Sequence, residues 1–365
     1  METQEIIDMV IHGVAEHEAA KPDLLNLALV ACSWIKRSRY HLFRLGYAKV
    51  NIDSARKARI FAMLLKNANS TIKRADLSDA LSDATLHFGQ SLQDSDKQII
   101  LTFLHNSVVT NTLSLTLAPP TGSRGTPKNQ FPWLTISSWS SLTTLTIVAS
   151  LPSVQALANI ITALPKLHTL TSNVHFVDLS VPPLCIGTPL PAIQNLHIGP
   201  RGYALLGWLA LSTQAGYPLR DLVLDVGSED PSPLQDFALA NVNGVDHVRV
   251  TLQDGRWARD VSRGMALLDE VFGVDIVFQY PDCTATEDIV NTLEILAQGL
   301  ASSTLMDLEI SLPRLRSGLR DQLMVLRALE AFVAEFSPVT PDALALFVSQ
   351  RRMGGELTLI GPALY

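Results

Sequence analysis

The side chains that could do chemistry fall in a few places. His197 and His247 belong to strand-like phrases that share a polar face, and imidazoles serve both as metal ligands and as acid/base groups. The two phrases are two strands apart, about 10 Å at roughly 4.8 Å per strand. A shared metal with bonds near 2 Å does not reach that far. Asp307 and Glu309 stand two apart on one strand, a spacing that would allow paired carboxylates to do general acid/base work if a pocket enclosed them. Gly199-Pro200-Arg201-Gly202 lies between a strand phrase and a helical segment, where phosphate loops sit. It lacks a third glycine at the right spacing and any Lys-Ser/Thr, so a turn with a helix start is predicted. The three cysteines, Cys32, Cys185 and Cys283, are far apart and odd in number, which predicts inert packing in a reducing compartment rather than a disulfide framework. Walker A, Gly-x-Ser-x-Gly, His-Glu-x-x-His and paired Cys-x-x-Cys motifs are all missing. The residues therefore predict a protein that is not an enzyme, with no catalytic residue, no metal and no cofactor.

The elements that carry these residues repeat. A short phrase recurs as Leu142 to Ile147, Leu167 to Leu170, Ile193 to Ile198, Leu219 to Leu224, Val245 to Val250 and Leu305 to Ile310. The central residues of the first five fall at 145, 170, 196, 222 and 248, steps of 25, 26, 26 and 26. A strand at Val274 to Phe278 and an earlier member at Leu113 to Leu117 extend the series. Segments of helical periodicity lie between them: Val154 to Leu164, Tyr203 to Thr213, Leu234 to Asn241, Val261 to Phe272, Ile289 to Ala301 and Leu319 to Phe336. Alternating strand and helix at this period predicts parallel strands. The stretch Pro119 to Pro127, rich in Pro, Gly and Ser, has no apolar period and is predicted to be an exposed loop.

A chain of 365 residues, 47% hydrophobic and 17% charged, is rich enough in core to exclude wholesale disorder. Its length suits two ordinary domains or one elongated array. No apolar run approaches the roughly 20 residues needed to cross a bilayer, so no membrane partner is expected. The opening Met1-Glu2-Thr3-Gln4-Glu5 has no basic n-region, which predicts a cytoplasmic or nuclear protein. The net charge of -7 hides an asymmetry: residues 36 to 74 carry eleven Lys and Arg against Asp53 alone. Such a collar could touch phosphates. However, Arg56, Lys57, Arg59 and Lys66 flank Ile60, Phe61, Met63, Leu64 and Leu65, and no aromatic residues interleave to stack bases. The collar is predicted to be the wet face of an amphipathic helix, and nucleic acid is not expected as a partner.

The strand phrases alternate rather than forming the continuous apolar runs of a sheet covered on both faces. One face carries Leu145/Ile147, Leu196/Ile198, Leu222/Leu224, Val248/Val250 and Leu308/Ile310. The other carries Asn195, His197, Asp221, Asp225, His247, Arg249, Asp275, Asp307 and Glu309. From about residue 110 the pattern resembles a leucine-rich repeat. The family's Asn or Cys that bonds the turn is replaced by Ser150, His175, Arg201, Gly227, Gln253 and Pro313, which implies an irregular solenoid. A closed (βα) barrel shares the alternation and is the alternative architecture, with an active site at the carboxyl ends of its strands.

The first 45 residues stand outside the repeat. Glu5 to Ile11 reads as a short apolar helix, Leu24 to Trp34 as a leucine-rich second helix ending in Val-x-x-x-Trp, and Arg39-Tyr40-His41-Leu42-Phe43 follows. This combination resembles an F-box of the fungal type, though Glu2-Thr3 replaces the family's opening Leu-Pro. The resemblance implies a three-helix module that binds the Skp-type adaptor of a cullin-RING ubiquitin ligase, with Ile7, Val10, Ile11, Leu24, Leu27, Val30 and Trp34 as its contact and core set. It also implies that the repeats hold the protein to be ubiquitinated. The expected organisation is an α/β chain with an F-box-like module at 1–45, a basic collar and first repeats at 46–110, and a leucine-rich-repeat-like solenoid with a C-terminal cap at 111–365. A helical cap on the solenoid is the plainer reading of the first module. If the polar face binds the partner protein, its acidic residues imply a basic or mixed-charge segment, with association sensitive to salt.

Overall fold

The computed structural model describes residues 3–16, 23–24, 26–27, 34, 37–38, 41, 49–52, 54, 56–57, 59–60, 63, 83–88, 94–107, 112–117, 136–180, 190–212, 219–227, 229–240, 245–268, 271–281, 285–300, 307–312, 319–336, 345–352 and 355–362. The chain divides into two compact units, Met1–Ser150 with Asn159–Leu167, and Leu151–Ala158 with His168–Tyr365.

The first unit opens with helix α1 (Thr3–Ala15). One face of α1 packs into a small apolar cluster in which Ile11 and Leu24 are fully buried and Ile7, Val14, Ala15, Leu27 and Trp34 close around them. Strands β1 (Lys49–Ile52), β2 (Asp83–Phe88), β3 (Thr112–Leu117) and β4 (Thr144–Ser153) follow, with helix α2 (Asp94–Ser107) between β2 and β3. Each of these strands pairs in parallel with the next. Helix α3 (Val154–Thr162) comes directly after β4. The Pro119 to Pro127 stretch lies outside the described residues, as do Val30 and the three cysteines. Of the basic collar, Arg56, Lys57 and Arg59 are exposed as expected. Ile60 and Met63 are exposed as well, at 47% and 71%, and do not form a buried face there.

The second unit begins with β5 (Thr169–Asp178) and, from β6 onward, alternates strand and helix: β6 (Asn195–Ile198), α4 (Ala204–Ser212), β7 (Asp221–Val226), α5 (Pro233–Ala240), β8 (His247–Leu252) and α6 (Ala258–Ala266). It continues through β9 (Gly273–Phe278), α7 (Thr286–Leu300), β10 (Asp307–Leu312), α8 (Leu319–Phe336), β11 (Ala345–Arg352) and β12 (Gly355–Pro362). From β5 to β11 every strand lies parallel to its neighbour in chain order, and β12 turns back antiparallel to β11. The architecture is thus α/β with parallel strands and crossover helices, as the period implied.

The alternation seen in the sequence is the alternation of burial. Leu196, Ile198, Leu222, Leu224, Val248, Val250, Leu308 and Ile310 are all buried. Backbone hydrogen bonds outside the ladders tie successive strands at their ends. At the strand entries His168 O accepts from Gln194 N, Gln194 O from Arg220 N, Arg220 O from His247 N, and Asp246 O from Phe272 N. At the exits Gly199 N donates to Ser172 O, Gln253 N to Val226 O and Gln279 N to Leu252 O. Such main-chain bonds need no particular side chain. They account for α6 ending at Ala266 rather than running on to Phe272. Leu267 N closes the last turn on Gly264 O, and Phe272 N donates to Asp246 O instead of joining the helix.

The helices pack closely because small residues sit where they cross. A side chain at Gly264 would meet Leu234 of α5 at 2.6 Å, and one at Gly299 would run into the Ser262 hydroxyl and carbonyl oxygen of α6. Ser262 Oγ in turn donates to Ile295 O of α7 at 2.8 Å, which fixes the α6–α7 contact with a hydrogen bond as well as by shape.

Candidate functional site

The parallel register sets the polar face of β5–β10 into rows. Thr169, Asn195, Asp221, His247 and Gly273 form one row, and Thr171, His197, Val223, Arg249, Asp275 and Glu309 form the next. Asp225, Thr251, Val277 and Ser311 form a third. Eight of the nine residues singled out on this face from the sequence therefore share a described surface. Asp307 is the first residue of β10, and its side chain lies outside the described residues.

Several of the charges are compensated within the sheet. His197 Nε2 is 2.8 Å from Asp225 Oδ2, and His247 Nε2 is 3.3 Å from Asp275 Oδ1. Arg249 donates through Nε and Nη2 to Asp275 Oδ2 at 3.0 and 2.7 Å. Asn195 Nδ2 donates to Thr169 Oγ1 at 3.1 Å. Asp275 is consequently a buried carboxylate, 8% exposed, covered by a histidine and an arginine from β8. Gly273 makes this possible: a Cβ there would lie 2.6 Å from His247 Cδ2, so the imidazole occupies the space a side chain would fill and leans toward Asp275. Asp221 and Glu309 remain exposed and carry no ion pair among the described residues. Among the described side chains of this face the uncompensated acidity is that of these two groups, with Asp225 and Asp275 held by their neighbours. The sequence did hold a signal for the pairing: both His–Asp contacts join residues 28 apart, 197 to 225 and 247 to 275.

A second polar group at the carboxyl ends of β6 and β7 escaped the sequence reading. Tyr203 is buried to 1% exposure directly before α4, and its hydroxyl has no hydrogen-bond partner among the described residues. Burial raises its pKa well above the tyrosine range, and the charges of Asp225 and Glu229 add to the effect. Burial also raises the Glu229 carboxyl, against the opposing pull of Arg201. Gly199 and Gly202 form the predicted turn and helix start, closed by Gly202 N on Gly199 O at 3.1 Å.

In the N-terminal module the structure divides the set that the sequence left joined. Ile11 and Leu24 are core, and Ile7, Leu27 and Trp34 pack against them. Val10 instead points outward, 45% exposed, beside Ile6 at 48% and Met9 at 56%. Residues 6, 9 and 10 share one helix face. Helix α1 thus carries two apolar faces, and the outer one includes Ile6 and Met9, which the sequence reading did not assign.

Among the described residues no three His, Cys, Asp or Glu side chains are placed to share a metal ion, and no helix is long and apolar enough to cross a membrane. Compared with known proteins, the chain matches no protein-family model and no curated protein. The surfaces themselves carry the functional reading.

Proposed function

We propose that this protein is a non-catalytic interaction protein: an F-box-like module that binds a Skp-type adaptor through α1, joined to an irregular leucine-rich-repeat-like solenoid that holds a protein for ubiquitination. The observation that carries the reading is the outer face of α1. Ile6, Met9 and Val10 remain exposed although the opposite face is already satisfied by Leu24, Leu27 and Trp34. Leaving three large apolar side chains of one helix face about half in water forgoes about 1 kcal/mol of burial for each, which a partner surface would recover. The solenoid part of the proposal draws on the strand order, the 26-residue period and the wet face. Asp221 and Glu309 on that face would meet a basic or mixed-charge segment. The setting implied is cytoplasmic or nuclear.

Co-expression with a Skp-type adaptor tests the reading. The wild-type chain should co-elute with the adaptor at micromolar concentration. Met9→Glu should weaken the complex by about 30-fold, since the lost apolar contact and the charge placed in it together cost about 2 kcal/mol. It should leave the unfolding midpoint unchanged, because Met9 is exposed. Failure of the wild-type chain to bind would remove the ligase assignment and leave a repeat scaffold.

A further inference from the structure

We propose that the exits of β6 and β7 form a binding site for a primary ammonium group, with Tyr203, Asp225 and Glu229 as its acceptors. The site starts from an unmet hydrogen bond. Tyr203 is buried directly before α4, and its hydroxyl has no partner among the described residues. Buried hydroxyls are nearly always paired, so this orphan points to a group that completes it. Gly227 brings the two carboxylates near. A Cβ there would lie 2.7 Å from Pro200 Cβ, so the loop after β7 presses against the Gly199–Tyr203 loop after β6. The charges of Asp225 and Glu229 both bear on the Tyr203 hydroxyl, which places it within electrostatic reach of each.

All three groups keep acceptor capacity. Asp225 gives Oδ2 to His197 and makes no other hydrogen bond among the described residues. Glu229 makes no hydrogen bond or ion pair there, although burial has removed part of its water. Both carboxylates are only part-buried, so the site is reached from their side, with the hydroxyl below the surface. Three acceptors without a donor select the ligand. A primary ammonium carries three N–H donors. A metal ion is not served, because among the described residues no three His, Cys, Asp or Glu side chains are placed to share one. An anion would meet two carboxylates. Opposing a cation are the N-terminus of α4, worth about half a positive charge, and Arg201, which is exposed and therefore screened by solvent. Two carboxylates outweigh them. A free alkylamine and a lysine side chain of another protein present the same group.

Calorimetric titration of the full chain with n-butylammonium tests the site at about pH 7.5, where the amine is charged, and at fixed ionic strength. It should bind with a Kd on the order of 1 mM. n-Butyltrimethylammonium, which has the charge but no N–H, should bind at least about tenfold more weakly. Tyr203→Phe and Glu229→Gln should each weaken n-butylammonium by about tenfold, the worth of one hydrogen bond to a charged group. Neither should melt below the wild type, because each removes an unpaired buried or half-buried polar group. A capped tripeptide with one central lysine separates the sources: tighter binding than the amine assigns the site to a protein's lysine, and equal or weaker binding assigns it to a free amine. No binding of n-butylammonium below about 20 mM would overturn the proposal, as would equal binding of the trimethyl analogue or an undiminished affinity in Tyr203→Phe. A lower melting temperature in Tyr203→Phe would overturn it too, since the hydroxyl would then be paired within the fold. The titration reads this site whether or not an adaptor binds.

Discussion

Replacing Arg249 with alanine isolates the buried carboxylate at the centre of the polar face. Asp275, with a side chain 11% exposed, receives two donors from Arg249 and one contact from His247. Losing one partner of a fully buried ion pair costs about 3–5 kcal/mol, whereas a pair wholly in solvent contributes about 0–1 kcal/mol. Arg249 is itself half-exposed, so water can enter where the guanidinium stood, and His247 stays in place. The expected loss therefore lies between those limits, at about 2 kcal/mol. For a unit of this size that lowers the melting temperature by about 4–8 °C. Asp275→Ala should cost less, about 1 kcal/mol, because it frees Arg249 to be solvated rather than stranding a buried charge. Urea unfolding of both single variants and the double variant should give a coupling of about 1 kcal/mol. Arg249→Ala within about 0.5 kcal/mol of wild type, or a coupling near zero, would show that Asp275 is hydrated and that the His–Asp–Arg cluster does not order this face.

Three other outcomes follow from the same geometry. Gly299→Ala forces its Cβ onto the Ser262 backbone and should cost about 3 kcal/mol in denaturant unfolding, whereas Gly13→Ala, with open space around it, should be neutral or slightly stabilising. Glu229 has its carboxyl raised by burial, so its contribution to stability is full below the ordinary glutamate value of 4.5 and is lost as pH rises through the folded value. Glu229→Gln should accordingly melt higher than wild type at pH 7, and a thermal scan series should show the difference closing as the pH is lowered toward 4.5. Asp221→Lys and Glu309→Lys should slow association with a co-purifying partner by several-fold at low salt, measured by surface plasmon resonance, whereas Asp225→Asn should act on stability instead because His197 already holds that carboxylate.

Much of the fold was legible along the chain because it rests on local periodicity. Two-residue alternation put Leu222, Leu224, Val248 and Val250 on one face and Asp221 and Arg249 on the other, and helical periodicity placed α8 at Leu319–Phe336, the same bounds as read from the sequence. Hydrophobic burial enforces those patterns residue by residue, so they survive without knowledge of neighbours. The parallel pairing of successive strands followed from the 26-residue step, since a crossover of that length brings each phrase beside the one before. What the chain could not reveal by itself is lateral. Asp275 looked like one carboxylate among several on a wet face, and only the register that sets Gly273 beside His247 and Asp275 beside Arg249 covers and neutralises it. Likewise Ile6, Ile7, Met9, Val10 and Ile11 form one apolar run in sequence, and the arrival of Leu24 and Trp34 against one side decided which of them became core and which remained a surface. Charge compensation and the division between core and contact depend on which groups are brought within a few ångströms from distant points of the chain, and the tertiary fold alone fixes those distances.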